Sequence, residues 1–159
     1  MTDLLQAQTA GIPLPVPTPV SEPFWAGCAV GELRYQRCAD CDHAEHDPAW
    51  ACRRCGSRRL DWRVSAGRGV VETHTVVRRP QTPGFAVPYA VVIVGFDEGF
   101  RMLTNLVGCS AAEVRTGLPV RVTFRPVDGG DDGDDGDGGE RTWLPYVEPR
   151  GDENGEIHG

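Results

Sequence analysis

Two cysteine pairs, Cys38-Ala-Asp-Cys41 and Cys52-Arg-Arg-Cys55, carry the clearest chemistry in this chain. In each CxxC turn the two thiolates converge on one point, and two such turns complete a tetrahedral four-sulfur metal site. Zinc is the default ion. Four protein ligands leave no position for substrate or water, so the site reads as a structural clamp on a single zinc ion. Ten residues separate the pairs, fewer than in the usual double-CxxC ribbon, which predicts a compact rubredoxin-like zinc ribbon. Four thiolates also accept iron, which leaves a rubredoxin-like electron carrier as an alternative. His43 and His46 lie between the pairs and read as surface residues, since the cysteines fill the shell. Cys28 and Cys109 have no base nearby in sequence and read as small buried residues, and His74 and His158 lack a triad context. No catalytic constellation is visible, so no catalytic residue is assigned.

The elements that must position this site follow in order. Residues 1–20 form an arm with Pro13, Pro15, Pro17 and Pro19 at every second position, which excludes helix and favours extended backbone. The arm reads as a flexible leader or as a strip lying along a partner. Residues 21–36 read as a helical hook and a lead-in strand. Ser21 suits the helix cap, Pro23 its first turn and Gly31 its end. Phe24, Trp25 and Cys28 share its apolar face. So short a helix must dock, either on this chain's ribbon or across an interface, which makes Phe24 and Trp25 candidate partner-interface residues. Residues 37–60 are the ribbon.

Residues 61–127 and 141–149 then read as five strands with a short helix, Ser110–Glu113, between the third and fourth. That is the plan of an OB-fold barrel, with a small two-sheet sandwich as the competing architecture. The fold class is thus mainly β: a short N-terminal helix, a zinc ribbon and a five-stranded OB barrel. Residues 128–140 form an acidic, glycine-rich insert and residues 150–159 a tail, both expected to be disordered.

Charge is distributed unevenly. Residues 1–127 hold 14 arginines against 12 acids, residues 128–159 hold 2 against 11, and the chain has no lysine. The body is close to neutral, which argues against nucleic acid as a partner. No apolar run reaches membrane-spanning length, and the first residues lack the features of a signal peptide. Paired CxxC turns in such a chain imply reduced, metal-bound thiols and a cytoplasmic location.

Pro23-Phe24-Trp25, Gly31-Glu32-Leu33, the double CxxC, Gly67-Arg68-Gly69, Val77-Arg78-Arg79-Pro80 and Leu103-Thr104-Asn105-Leu106-Val107-Gly108 occur together and in order. In that combination the chain resembles the zinc-ribbon/OB-fold family of acyl-CoA-associated proteins, over roughly residues 21–127 and again at 143–147. It departs from the family pattern at Asp42, where a knuckle glycine is usual, and in the acidic insert.

The resemblance implies a non-catalytic accessory subunit of an acyl-CoA thiolase or aldolase complex. A steroid side-chain thioester cleaved by retro-aldol chemistry is one such substrate. It further implies a hetero-oligomer with a thiolase-like enzyme, and in some members a MaoC-like hydratase. Coenzyme A phosphates favour arginine forks. Arg78 and Arg79, with Phe85 in the following loop and Asn105 in an otherwise apolar strand, are therefore the candidate coenzyme A and substrate contacts. The alternative from another class is a nucleic-acid-binding ribbon/OB module, resting on Arg53-Arg54 and Arg58-Arg59.

Overall fold

The computed structural model describes residues 3–9, 11–128 and 141–151. The sequence expectations for the acidic insert and the tail lie outside the described residues, except for Asp128, Arg150 and Gly151. Helix α1 spans Glu22–Ala29, with Pro23 in its first turn. The chain leaves it through Gly31 at φ 77°, a left-handed conformation that favours glycine. Ser21 occupies the cap position, but its hydroxyl accepts from the Thr18 N–H at 2.9 Å instead of capping the helix. Gly27 is buried against the next strand, where an added Cβ would fall 2.7 Å from the Glu32 carbonyl oxygen.

Strands β1 (Arg34–Cys38), β2 (Ala44–Glu45) and β3 (Leu60–Val64) form an antiparallel sheet in the order β2-β1-β3. The lead-in strand is therefore the centre of the ribbon. β3 belongs to the ribbon by pairing, with Cys38 opposite Leu60 and Arg34 opposite Val64.

Strands β4 (Arg68–Val77), β5 (Tyr89–Phe96), β6 (Arg101–Leu106), β7 (Pro119–Val127) and β8 (Thr142–Pro149) close into a barrel in the order β4-β5-β6-β8-β7. All pairs are antiparallel except β6 with β8. This order, with a turn of 3₁₀ helix at Ala111–Glu113 between β6 and β7, is the OB-fold plan. The Glu113 carboxylate reaches back to the Ser110 N–H at 2.7 Å, fixing that turn. β5 is apolar along almost its whole length but is not buried on both faces. Ala90, Val92, Val94 and Phe96 point into the barrel, and the residues between them are half-exposed.

Ribbon, helix and barrel share one core. Phe100 stacks on Phe96 at 4.8 Å and on Tyr35 at 4.9 Å, linking barrel to ribbon. Glu98, in the β5–β6 turn, accepts from the Ser65 hydroxyl at 2.9 Å and the Ala66 N–H at 2.7 Å. Its carbonyl oxygen accepts from Arg37 of β1 at 3.0 Å.

Over residues 3–9 the arm is not a free leader: this segment docks on the chain's own barrel. Leu5 is buried and exchanges backbone hydrogen bonds with Cys109 and Gly108, each at 2.9 Å. The Ala111 N–H donates to Asp3 and the Asp128 N–H to Thr9. An apolar side chain and paired peptide groups hold the segment, and the proline repeat begins only after it.

Candidate metal centre and adjoining cleft

The two knuckles repeat one local geometry. In the first, the Asp42 N–H returns to the Cys38 carbonyl at 3.0 Å, and in the second the Gly56 N–H returns to Cys52 at 2.8 Å. Both turning residues have positive φ, 61° for Asp42 and 76° for Gly56. The aspartate therefore takes the conformation for which a glycine is usual, with some strain. Arg37 holds it, donating to its carbonyl oxygen at 2.9 Å.

All four sulfurs lie within 4.8 Å of one another, with Cys38–Cys55 and Cys41–Cys52 each at 3.6 Å. A disulfide would bring sulfurs to about 2.0 Å, whereas tetrahedral zinc at about 2.3 Å from each sulfur needs them about 3.8 Å apart. The cluster therefore fits a four-coordinate ion. The backbone N–H of Cys41, then that of Asp40, hold the Cys38 thiol down at about 7, against desolvation. Cys41 is pushed up to about 12 although the His43 N–H favours its thiolate, because desolvation and the neighbouring sulfurs oppose a second charge. A cation relieves that conflict.

Buried polar groups pin the cluster. Glu45 accepts from the Arg53 N–H at 3.0 Å, tying β2 to the second knuckle. The buried Gln36 amide exchanges two hydrogen bonds with the Ala49 backbone, at 2.8 and 3.1 Å, and so fixes the loop between the knuckles. On the exposed side of the cluster, Asp40 binds Arg59 at 2.7 Å and also accepts from the Ser57 hydroxyl.

His46 corrects the sequence reading. It is not a surface residue: its ring packs edge-on to Phe24 at 5.2 Å and stacks on Phe100 at 5.9 Å. Its Nδ1 is buried without a hydrogen-bond partner. Burial lowers its pKa below the ordinary 6.5, opposed only by Asp47, so the ring is neutral at pH 7.

The other candidates divide into two groups. Phe24 is 5% exposed, packed within this chain, while Trp25 is only partly buried. Both line a cleft of about 370 Å³, and so do Phe85, Asn105 and His46. Arg78 and Arg79 are exposed at the end of β4 and do not line it. Cys28 is fully buried and its thiol is pushed up to about 12 by desolvation. Cys109 is raised by burial and then by the Glu113 charge. Neither supplies a thiolate.

Family models for the ChsH2 rubredoxin-like zinc ribbon domain and the ChsH2 C-terminal OB-fold domain match residues 25–61 and 62–125, in that order. The chain belongs to the ChsH2 zinc-ribbon/OB-fold family. Within a solved structure described as an Ltp2-ChsH2(DUF35) aldolase, one chain superposes with a TM-score of 0.72 at 31% identity. That match covers 86% of this chain and 98% of the other. A 3-oxo-4,17-pregnadiene-20-carboxyl-CoA hydratase alpha subunit from Mycobacterium tuberculosis is 41% identical over 64% of this chain and 32% of its own length. A probable enoyl-CoA hydratase alpha subunit from Thermomonospora curvata is 38% identical over 66% of this chain and 33% of its own. The chain thus spans about a third of these hydratase relatives. A DUF35 domain-containing scaffold protein from Pyrococcus furiosus is 32% identical over 51% of this chain and 60% of that protein.

Sequence reasoning missed the contribution of Gln8 to this region. Its side chain exchanges two hydrogen bonds with the Ala86 backbone, both 2.9 Å, and so clamps the loop that carries Phe85. Gly11 and Gly84 cross nearby, where a Cβ on Gly84 would lie 2.0 Å from the Gly11 oxygen. The two isolated glycines were the only sequence signal of that crossing.

Proposed function

We propose that the chain is a non-catalytic accessory subunit of a complex acting on coenzyme A thioesters, seated against a thiolase-like enzyme. One zinc ion, held by Cys38, Cys41, Cys52 and Cys55, keeps the ribbon rigid. Arg78 and Arg79 are the proposed phosphate contacts, and the half-buried Trp25 is the more accessible member of the proposed interface pair. The observation that carries this reading is the near-complete match, 98% of its length, to a chain of the Ltp2-ChsH2(DUF35) aldolase. The shared core of helix, ribbon and barrel and the two buried, protonated thiols Cys28 and Cys109 support it. The names of the hydratase relatives favour a steroid side-chain or similar thioester as substrate and support a hydratase as a second partner.

Co-expression with a thiolase-like lyase from the same source tests the reading. A stoichiometric complex on size exclusion, with retro-aldol activity that depends on this chain, is the expected result. A lyase that is soluble and fully active alone would defeat it. Activity that follows hydration of an unsaturated thioester instead would favour the hydratase partner.

A further inference from the structure

We infer that the open edge of the ribbon sheet, strand β3, pairs with β3 of a second copy of this chain across a two-fold axis. The pairing concerns assembly of the chain with itself and goes beyond its proposed seat against an enzyme. β3 is an edge strand in the order β2-β1-β3. Its ladder to β1 fixes which peptide groups it uses. The Ala39 N–H donates to the Arg59 carbonyl oxygen and the Ser65 N–H to that of Leu33, each at 2.8 Å. Arg37 lies opposite Asp61 and Tyr35 opposite Arg63. In that register Asp61 and Arg63 turn their peptide groups toward β1, and Leu60, Trp62 and Val64 turn theirs away from it. Those outward N–H and C=O groups have no hydrogen-bond partner among the described residues. Such a row is a template for another strand. The opposite edge of the sheet is blunted, because β2 has only 2 residues. β3 is longer and carries no proline, glycine or bulge to protect it.

The sequence of β3, Leu60-Asp-Trp-Arg-Val64, selects its own copy as the occupant. Antiparallel pairing centred on Trp62 sets Trp62 against Trp62, Leu60 against Val64 and Asp61 against Arg63 of the second copy. The Trp62 pair and the Leu60–Val64 pairs exchange the free N–H and C=O groups. Asp61 and Arg63 then fall at the non-hydrogen-bonded positions, where side chains across two strands come closest. Both are exposed, they share one face of the strand, and neither has an ion-pair or hydrogen-bond partner among the described residues. Val64, 56% exposed, gains cover from Leu60 of the second copy. The next registers that keep the same peptide groups facing set Asp61 against Asp61 or Arg63 against Arg63, so like charges reject them. A strand from another protein would need the reverse charge order at these positions, whereas a second copy supplies it by symmetry.

Sedimentation equilibrium of the purified zinc-loaded chain, from micromolar to millimolar concentration at low salt, tests the pairing. A monomer–dimer equilibrium is expected for the wild type. Asp61→Arg and Arg63→Asp should each weaken it about tenfold, because each turns both cross-strand attractions into repulsions. Mixing D61R with R63D should restore dimers, now as a heterodimer, since opposite charges then meet at both positions. Val64→Pro, which removes only an outward-pointing N–H, should abolish dimers. The charge variants alter exposed side chains without partners in the described chain, so their melting temperatures should match the wild type, and the mixing result stands whether or not the proline variant folds. A wild-type chain that stays monomeric at millimolar concentration, dimers unaffected by either charge variant, or a D61R and R63D mixture that stays monomeric would overturn the pairing.

Discussion

Replacing Phe100 with alanine removes the ring that joins barrel to ribbon. Phe100 is 2% exposed and meets Phe96 at 4.8 Å on the barrel side, with Tyr35 at 4.9 Å and His46 at 5.9 Å on the ribbon side. Truncating a buried phenylalanine costs about 3–5 kcal/mol in lost transfer energy and residual cavity. The cavity opens at the joint, so the loss falls on the coupling between the two units as well as on global stability. Guanidinium unfolding followed by tryptophan fluorescence and by zinc release to a chromophoric chelator separates these effects. The wild type should unfold in one transition with zinc release coincident. Phe100→Ala should release zinc at lower denaturant than it loses the barrel. Phe100→Leu, which keeps most of the volume and loses the ring stacking, should cost about 1–3 kcal/mol, the worth of the two closest ring pairs, with Phe96 and Tyr35. A Phe100→Ala protein that unfolds in one transition and loses less than about 1 kcal/mol would refute the shared core.

Three other outcomes follow from the same contacts. His46 has a folded pKa below its ordinary 6.5, so the unfolded chain takes up more protons as pH falls through 6.5 and stability drops on that side. His46→Phe should flatten the decline between pH 7.5 and 6 in denaturation curves, and should gain up to about 1–3 kcal/mol by removing the orphaned Nδ1. Asp42→Gly should raise the melting temperature, because φ 61° costs an aspartate about 1 kcal/mol that glycine avoids. Gln8→Ala should speed hydrogen exchange at Ala86 severalfold while leaving the zinc knuckles protected, since both of its hydrogen bonds end on that one residue.

Local signals in the sequence carried the ribbon and the barrel. The CxxC spacing places four sulfurs together almost without regard to the rest of the chain. The barrel strands announce themselves through alternation, as in Val120–Arg125, and through the capping pair Ser110 and Glu113 between the third and fourth strands. What escaped depended on distant partners. Gln8 finds Ala86 across 78 residues, and nothing near Gln8 in sequence indicates that pairing. His46 looks like a polar loop residue until Phe24 and Phe100 enclose its ring. Asn105 and Phe85 were singled out for their types and do face one cleft, whereas the exposed Arg78 and Arg79 stand apart from it. The arm misled for a related reason: its proline repeat is conspicuous, but Leu5 and the peptide groups around it do the docking.

The central claim is that the metal holds geometry while the chemistry belongs to the partner. Turnover of the assembled complex, measured with zinc in this chain replaced by cadmium or cobalt, tests it most directly. Both ions accept four thiolates in a tetrahedron but differ from zinc as Lewis acids. An architectural ion predicts the same kcat within about twofold for all three metals, with differences confined to thermal stability. A kcat that tracks the identity of the metal would contradict the account.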